Sequence, residues 1–219
     1  MEQAKKWHPK LCSPSFDDVW PIRDIRIMEA ELGYKQRING GNIPITVGIL
    51  IADSRRQYCR ENIITQLGQI DKASGPLIDF FLPGYDRIIK EEKLPIFQFK
   101  FKKRTYSFNS DEFDSVVAVL EDHGIKVTGR AQLLLVPYEN NRLCLSDAMM
   151  FDLEKEEASG RIESTRLFIK FIIKIAKKTT EFEKFKRTIQ RDRSRTAFLA
   201  FLKAKLPDIF WEIVTYPFP

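Results

Sequence analysis

Histidine and cysteine are both scarce in this sequence. Its 219 residues include two histidines and three cysteines, and Cys12, Cys59 and Cys144 lie far apart. No Cys/His spacing is typical of a zinc site, so we predict neither a metal ion nor another cofactor. An odd number of scattered cysteines is also not typical of the disulfide framework of a small secreted domain. The sequence therefore predicts reduced thiols and a cytoplasmic location.

Long hydrophobic runs are missing as well. Residues 1–10 contain no apolar segment typical of a secretory signal, so we expect none. The longest apolar stretch of the last third, Leu167 to Ala176, is interrupted by Lys170 and Lys174 and is too short to cross a bilayer. We therefore expect no membrane insertion. The sequence also lacks internal repeats and a glycine-rich phosphate-binding loop, which leaves no standard nucleotide-binding motif.

Negative charge is scarce only in the last third of the chain. Residues 161–219 hold 14 Lys and Arg against 6 Asp and Glu, whereas the other residues hold 22 against 24. The net charge of +6 at pH 7 therefore belongs to the C-terminal residues. A concentrated positive face suits the phosphates of nucleic acid or an acidic protein surface. It is also typical of the solvated side of a packed helix.

The clearest structural unit runs from residue 45 to residue 86. Ile45 to Ala52 and Leu77 to Leu82 are apolar runs typical of buried strands. Asp53 and Ser54 offer helix-capping oxygens between them, and Ser74-Gly75-Pro76 ends the helix that should follow. The apolar stripe of that helix consists of Ile63, Ile64, Leu67 and Ile70. Two strands joined by a helix predict a parallel pair with a crossover connection.

The rest of the chain predicts further alternation of helices and strands. Residues 22–36 suit a helix, or alternatively a strand that forms a hairpin with residues 45–52. We then predict a helical turn over Arg87–Lys93, a strand pair over Ile96–Phe108 and a helix from Ser110 to Gly124. A strand over Gln132–Tyr138 follows, with a hairpin return over Arg142–Leu145. The last predicted elements are a helix over Ala148–Glu157 and basic helices over Glu163–Arg187 and Arg195–Lys205.

This order of elements, with a cysteine near the start of the first helix, resembles the thioredoxin-like fold. Tyr58-Cys59-Arg60-Glu61-Asn62 occupies the position of that family's aromatic-Cys-x-x-Cys motif, and Leu133 to Val136 with the Asn140-Asn141 turn resembles its central hairpin. The resemblance covers residues 45–157 and implies a mixed sheet flanked by helices. Asn62 stands where the family has its second cysteine, and Ala131-Gln132 replaces its cis-proline dipeptide, so no dithiol chemistry is expected.

We therefore predict an α/β chain in three parts. Residues 1–44 form an N-terminal arm and helix, and residues 45–159 form a thioredoxin-like domain with a mixed sheet flanked by helices. Residues 160–219 form a basic α-helical C-terminal extension packed on that domain, with Ser159-Gly160 as the boundary.

Cys59 is the candidate nucleophile. A thiol in the first turn of a helix, beside Arg55, Arg56 and Arg60, would have its pKa lowered by the helix dipole and by positive charge. That arrangement would suit a single-cysteine thiol enzyme. The alternative is that Cys59 is a small apolar residue packed against the sheet, since no histidine or second cysteine accompanies it.

The same turn is a candidate anion site. Ser54, Arg55, Arg56 and Arg60 follow a parallel strand and begin a helix, where backbone N–H groups favour phosphate. Ligands of open α/β sheets bind at the carboxyl ends of strands. This pattern favours a sensor of a nucleotide or another anion.

The third candidate site is the basic surface of the C-terminal helices. Its residues are Lys170, Lys174, Lys177, Lys178, Lys184, Lys186, Arg187, Arg191, Arg193 and Arg195. We predict a non-catalytic binding or scaffold protein that works with a protein partner in a cytosolic complex, with nucleic acid as a candidate ligand of these helices. The single-cysteine thiol enzyme and the anion sensor stay open as alternatives.

Overall fold

The computed structural model describes residues 11–12, 28–30, 32–33, 45–74, 78–87, 97–101, 104–179 and 181–192 of the chain. Residues 28–30 and 32–33 are helical, which favours the helix over the strand alternative for the N-terminal segment. The predicted helix over 195–205, together with Arg193 and Arg195, lies outside these ranges.

The described ranges contain nine strands in two sheets. They are β1 (Leu11–Cys12), β2 (Ile45–Ile51), β3 (Ile78–Phe81), β4 (Tyr85–Arg87), β5 (Gln98–Phe101), β6 (Arg104–Phe108), β7 (Gln132–Glu139), β8 (Arg142–Leu143) and β9 (Met149–Asp152). The helices are α1 (Gln57–Asn62), α2 (Leu67–Ala73), α3 (Ser110–Asp122), α4 (Leu153–Ala158), α5 (Thr165–Ala176) and α6 (182–192), with 3-10 turns at Ile64–Gln66 and Leu145–Asp147.

The main sheet is mixed, as predicted. Its strand order is β1-β3-β2-β7-β8. β9 pairs with Gln132 to Leu135 of β7, on the same edge of β7 as β8. β1, β3 and β2 are parallel, with Val47 opposite Asp79, and β7 is antiparallel to β2, β8 and β9. The predicted parallel pair is therefore confirmed. Asn140 and Asn141 have φ values of 52° and 62° and turn β7 into β8, as the predicted hairpin requires.

Apolar side chains cover both faces of this sheet. One face packs against α1, α2, α5 and α6, with Leu50, Phe80 and Leu133 in the layer between. The other face packs against α3, which begins after the cap Asn109 and buries Phe113, Val116 and Leu120. The chain is thus an α/β protein with a mixed sheet flanked by helices, an arrangement compatible with a thioredoxin-like fold. None of the helices in the described ranges has the length and apolar character needed to span a membrane.

A second, three-stranded sheet is inserted between β3 and α3. Its order is β4-β6-β5 and all its pairs are antiparallel, which confirms the predicted strand pair within Ile96–Phe108. A helical turn was predicted to begin at Arg87. That prediction was wrong at Arg87, because this residue lies in β4 and pairs with β6. The other residues of that predicted turn, 88–93, lie outside the described ranges.

The helix predicted after β2 begins later than its sequence indicates. Asp53 and Ser54 do not cap it: the Asp53 carboxylate accepts the backbone N–H of Arg55 at 2.8 Å, and α1 begins only at Gln57. A 3-10 turn then separates α1 from α2. The predicted capping was wrong because Asp53 forms a local turn with its own neighbour.

Two further helix predictions need correction. Met149–Asp152 is the strand β9, since it pairs with β7 and buries alternate residues, and only Leu153–Ala158 is helical. The single helix predicted over Glu163–Arg187 is two helices, α5 and α6. Between them the Thr179 hydroxyl accepts the backbone N–H of Glu181 at 3.2 Å, which forms a local turn before α6 begins.

Candidate functional site

Cys59 is buried in the core. It lies in the first turn of α1 as a free thiol with 0% of its surface exposed, within the apolar cluster that includes Ile63 and Tyr85. Burial raises the pKa of the Cys59 thiol to about 11, and the nearby charge of Arg56 only partly opposes this effect. The predicted lowering of the Cys59 pKa was therefore wrong, because loss of hydration outweighs the positive charge nearby.

The neighbouring arginines are brought together as predicted, but each of them already bonds to other groups of the protein. Arg55 pairs with Asp53 at 2.6 Å, and Arg56 pairs with Glu154 at 2.9 Å. The Arg60 guanidinium donates to the backbone carbonyl oxygens of Ser54 and Arg55 at 2.7 and 2.9 Å. These contacts hold the turn between β2 and α1 in shape, and they leave little positive charge to attract an anion.

The inserted sheet covers the carboxyl end of β2. The Tyr85 hydroxyl donates to the Ala52 carbonyl oxygen at 2.6 Å, and burial raises the Tyr85 pKa well above its usual range. The Arg55 guanidinium lies 5.7 Å from the centre of the Phe108 ring. Ser54 is only 1% exposed. The sheet edge where an open α/β protein usually binds its ligand is therefore occupied by the protein's own side chains.

A polar cluster that the sequence did not predict joins α1 to α4 and α5. The Tyr58 hydroxyl lies 2.6 Å from the Glu157 carboxylate and 2.8 Å from the Thr165 hydroxyl. Glu157 also accepts the backbone N–H of Thr165 at 2.9 Å. Burial and the Glu157 carboxylate raise the Tyr58 pKa well above its usual range. Because the partners lie about a hundred positions along the chain from Tyr58, no local pattern could have identified them.

The predicted basic residues meet in a groove between α5 and α6. Its volume is about 780 Å³. Phe171 and Lys174 line the α5 wall three residues apart, which places them on one helical face, and Lys178 lines the groove from the turn just after α5. Lys184, Thr188 and Arg191 line the α6 wall with the same spacing. Lys177, Thr179, Ile175, Glu181 and Asp192 complete the lining.

Positive charge exceeds negative charge in this basic groove. Lys184 pairs with Glu181 at 2.6 Å, and Arg191 pairs with Asp192 at 3.5 Å, so these cations are partly neutralised. Lys174, Lys177 and Lys178 form no ion pair with any residue that the structure describes. The groove therefore presents about three positive charges that no carboxylate of the described residues pairs with.

The other predicted basic residues do not line this groove. Lys170 is exposed on α5, and Lys186 pairs with Glu183 at 3.7 Å. Arg187 is exposed on α6. The structure thus brings five of the predicted residues together, Lys174, Lys177, Lys178, Lys184 and Arg191, and places three elsewhere.

No metal centre accompanies these sites in the described part of the chain. Within the described ranges, no group of three or more His, Cys, Asp or Glu side chains is placed to hold a metal ion. The basic groove can attract phosphate or carboxylate groups, whereas the Cys59 turn is closed by its own contacts. In comparisons of the whole chain, no family model, no curated protein and no solved structure gave a significant match.

Proposed function

We propose that this chain is a non-catalytic binding protein of thioredoxin-like fold, which works in a cytosolic complex and binds nucleic acid through the basic groove. The observation that carries the proposal is the convergence of Lys174, Lys177 and Lys178 on one concave surface. Cations gathered along a groove are suited to neutralise successive phosphates of a strand.

The strand order supports the fold part of this proposal. Three parallel strands, β1, β3 and β2, are followed by the antiparallel strand β7, as in a thioredoxin-like sheet. The inserted second sheet and the buried Cys59 depart from a redox protein of that kind. Both departures favour a binding role over thiol chemistry.

The C-terminal end of α5 gives a competing explanation for some of the charge. Lysines in the last turn of a helix interact favourably with its dipole, worth about 0.3–1 kcal/mol each. Lys174 lies in that turn and Lys177 follows as the C-cap. This effect does not account for Lys184 and Arg191, which lie on the opposite wall and face the same groove. Binding of an anionic partner explains both walls together.

The proposal is tested by measuring the affinity of short fluorescent oligonucleotides for the full chain by anisotropy. The variant Lys174→Glu/Lys178→Glu should weaken binding at least about tenfold. The control variant Lys126→Glu/Lys155→Glu makes the same change of charge at exposed lysines outside the groove and should retain most of the affinity.

Salt gives a second readout. Neutralisation of about three phosphates predicts a slope of log K against log salt near −2 for a single strand, or roughly a 15-fold loss between 50 and 200 mM. Binding that does not respond to salt, or that both variants reduce equally, would reject nucleic acid as the ligand of the groove.

A further inference from the structure

We propose that the nucleic acid bound in the basic groove is single-stranded and that one base stacks on Phe171. This inference rests on the proposed function and specifies its ligand. Phe171 is half-buried and lies on the same face of α5 as Lys174, and Lys178 in the turn after α5 lines the same groove. A base stacked on Phe171 would thus have its neighbouring phosphates within reach of those two lysines.

One side of the Phe171 ring packs against the hydrophobic core. Its centre is 6.4 Å from the centre of the Phe168 ring at an interplanar angle of 31°, and Phe168 is buried with Phe151 against the main sheet. A ring fixed in this way loses little conformational entropy when a ligand stacks on it. Phe171 is therefore a preorganised apolar surface in a charged wall.

The surface next to the groove is apolar as well. Leu167 lies one turn before Phe171 on α5 and is 44% exposed, which makes it the most exposed large apolar residue of the described ranges. The exposed side of α5 thus changes from apolar at Leu167 and Phe171 to basic at Lys174, and Lys178 follows in the next turn. An aromatic ring within a positively charged groove is typical of surfaces that bind single strands.

A duplex would not use this arrangement. The bases of a duplex are stacked in its interior, so only phosphates and groove edges reach a protein surface. The bases of a single strand are free to turn outward and to stack on an aromatic ring. The groove volume of about 780 Å³ lies within the range of sites that enclose small ligands, which also suits a short stretch of nucleotides.

The carboxylates in the groove are consistent with this ligand. Glu181 and Asp192 each lie beside a cation, Lys184 and Arg191 respectively, which limits their repulsion of phosphate. Carboxylate oxygens also accept hydrogen bonds from exocyclic amino groups of bases.

The experiment compares three probes on the full chain: a single-stranded oligonucleotide, an abasic oligonucleotide with the same number of phosphates, and a duplex. Phe171→Leu keeps an apolar group against Phe168 but removes the ring. It should weaken binding of the single strand by about 5- to 30-fold and leave the abasic affinity unchanged. Phe171→Trp should retain the affinity, and Phe97→Leu, at another half-buried phenylalanine, is the control.

The possible outcomes separate this inference from the proposed function. If Phe171→Leu and Phe171→Trp both bind the single strand as tightly as the unmodified chain, or the duplex binds equally well, the base-stacking inference is wrong. Sensitivity to Lys174→Glu/Lys178→Glu would then still support nucleic acid as the ligand. If no oligonucleotide binds but polyglutamate does, both are wrong and the groove binds an acidic protein surface.

Discussion

At the scale of single residues, the turn around Cys59 is a closed set of contacts. Each arginine that could activate the thiol has a partner of its own: Asp53 for Arg55, Glu154 for Arg56 and backbone carbonyls for Arg60. Burial raises the Cys59 pKa most, the Arg56 charge opposes it only partly, and Asp53 and Glu154 add to the increase. The residues that indicate an activated thiol in the sequence are therefore bonded to other groups in the fold, around a buried thiol with a raised pKa.

The pH dependence of stability tests this view of Cys59. Its thiol pKa is about 11 in the folded chain, against an ordinary value of 9.0. Because the pKa is higher in the folded chain, the unfolded chain loses the Cys59 proton at a lower pH than the folded chain does. Stability from this group is complete below pH 9 and is lost as the pH rises towards 11. Between about pH 8 and pH 10 the loss should be about 1 kcal/mol.

Guanidinium unfolding of the wild-type chain and of Cys59→Ala measures this loss, because the variant lacks the titrating group. The wild type should become less stable relative to the variant as the pH rises. A shift in the opposite direction would mean that the folded protein lowers the thiol pKa, as a reactive cysteine requires.

The Tyr58 cluster gives a second prediction at this scale. Tyr58→Phe removes the hydroxyl that bonds to Glu157 and Thr165, and we expect a loss of about 1–2 kcal/mol in the free energy of unfolding. In a Glu157→Ala background the same change should cost much less, since the charged partner is already gone. Urea unfolding of the four chains measures this coupling. Additive losses would show that the hydroxyl does not depend on Glu157.

At the scale of elements, the junction between the two sheets depends on Gly84. This residue has φ +75°, and its carbonyl oxygen accepts the backbone N–H of Asn109 at 2.7 Å. A Cβ atom there would lie 2.6 Å from the Phe113 Cβ and 2.9 Å from the Asn109 carbonyl oxygen. The start of β4 and the start of α3 therefore approach each other too closely for any side chain.

Gly84→Ala should destabilise the chain by about 2–4 kcal/mol, through backbone strain and overpacking together. Gly129→Ala is the matched control, because Gly129 has φ +70° but no atom within 4 Å of the added Cβ. It should cost only the strain, about 1–2 kcal/mol. Thermal or urea unfolding measures both changes. Equal losses would mean that the junction adapts to the extra methyl group.

At the scale of the whole molecule, α5 and α6 share the core of the main sheet. Phe168, Ile169 and Ile172 of α5 and Phe185 and Ile189 of α6 are buried in the same cluster as Leu50 and Cys59. The domain boundary predicted at Ser159-Gly160 stays a prediction. These contacts indicate what removal of the residues after that boundary would do. The groove is the outer side of helices whose inner sides complete the core.

A chain that ends at Ser159 should therefore lack a cooperative unfolding transition. Burial of each lost apolar side chain contributes about 1.5–3 kcal/mol. The five together are comparable to the whole free energy of unfolding of a typical domain, about 5–15 kcal/mol. Near-ultraviolet circular dichroism and urea unfolding of the shortened chain measure this effect. A native-like spectrum with a sharp transition would instead establish residues 1–159 as an independent unit.

Local patterns were sufficient for most elements of the fold. The β2 and β3 strands are continuous apolar runs, and the 132–143 hairpin has two asparagines at the positions that need positive φ. The errors occurred where a tertiary contact outweighed a local preference, as in Met149–Asp152, which pairs with β7 although its surroundings indicate a helix. The Tyr58 cluster was missed for the same reason.

The sequence by itself determined much of the order of strands and helices, the parallel crossover and the position of the positive surplus, because hydrophobic periodicity and charge are local properties. Only the tertiary structure decided which arginines keep a free charge and whether the Cys59 thiol meets water. It also decided which lysines share a groove. Burial and ion pairing depend on residues far apart in the chain, and they reversed the expected chemistry of Cys59 while gathering Lys174, Lys178 and Lys184 on one surface.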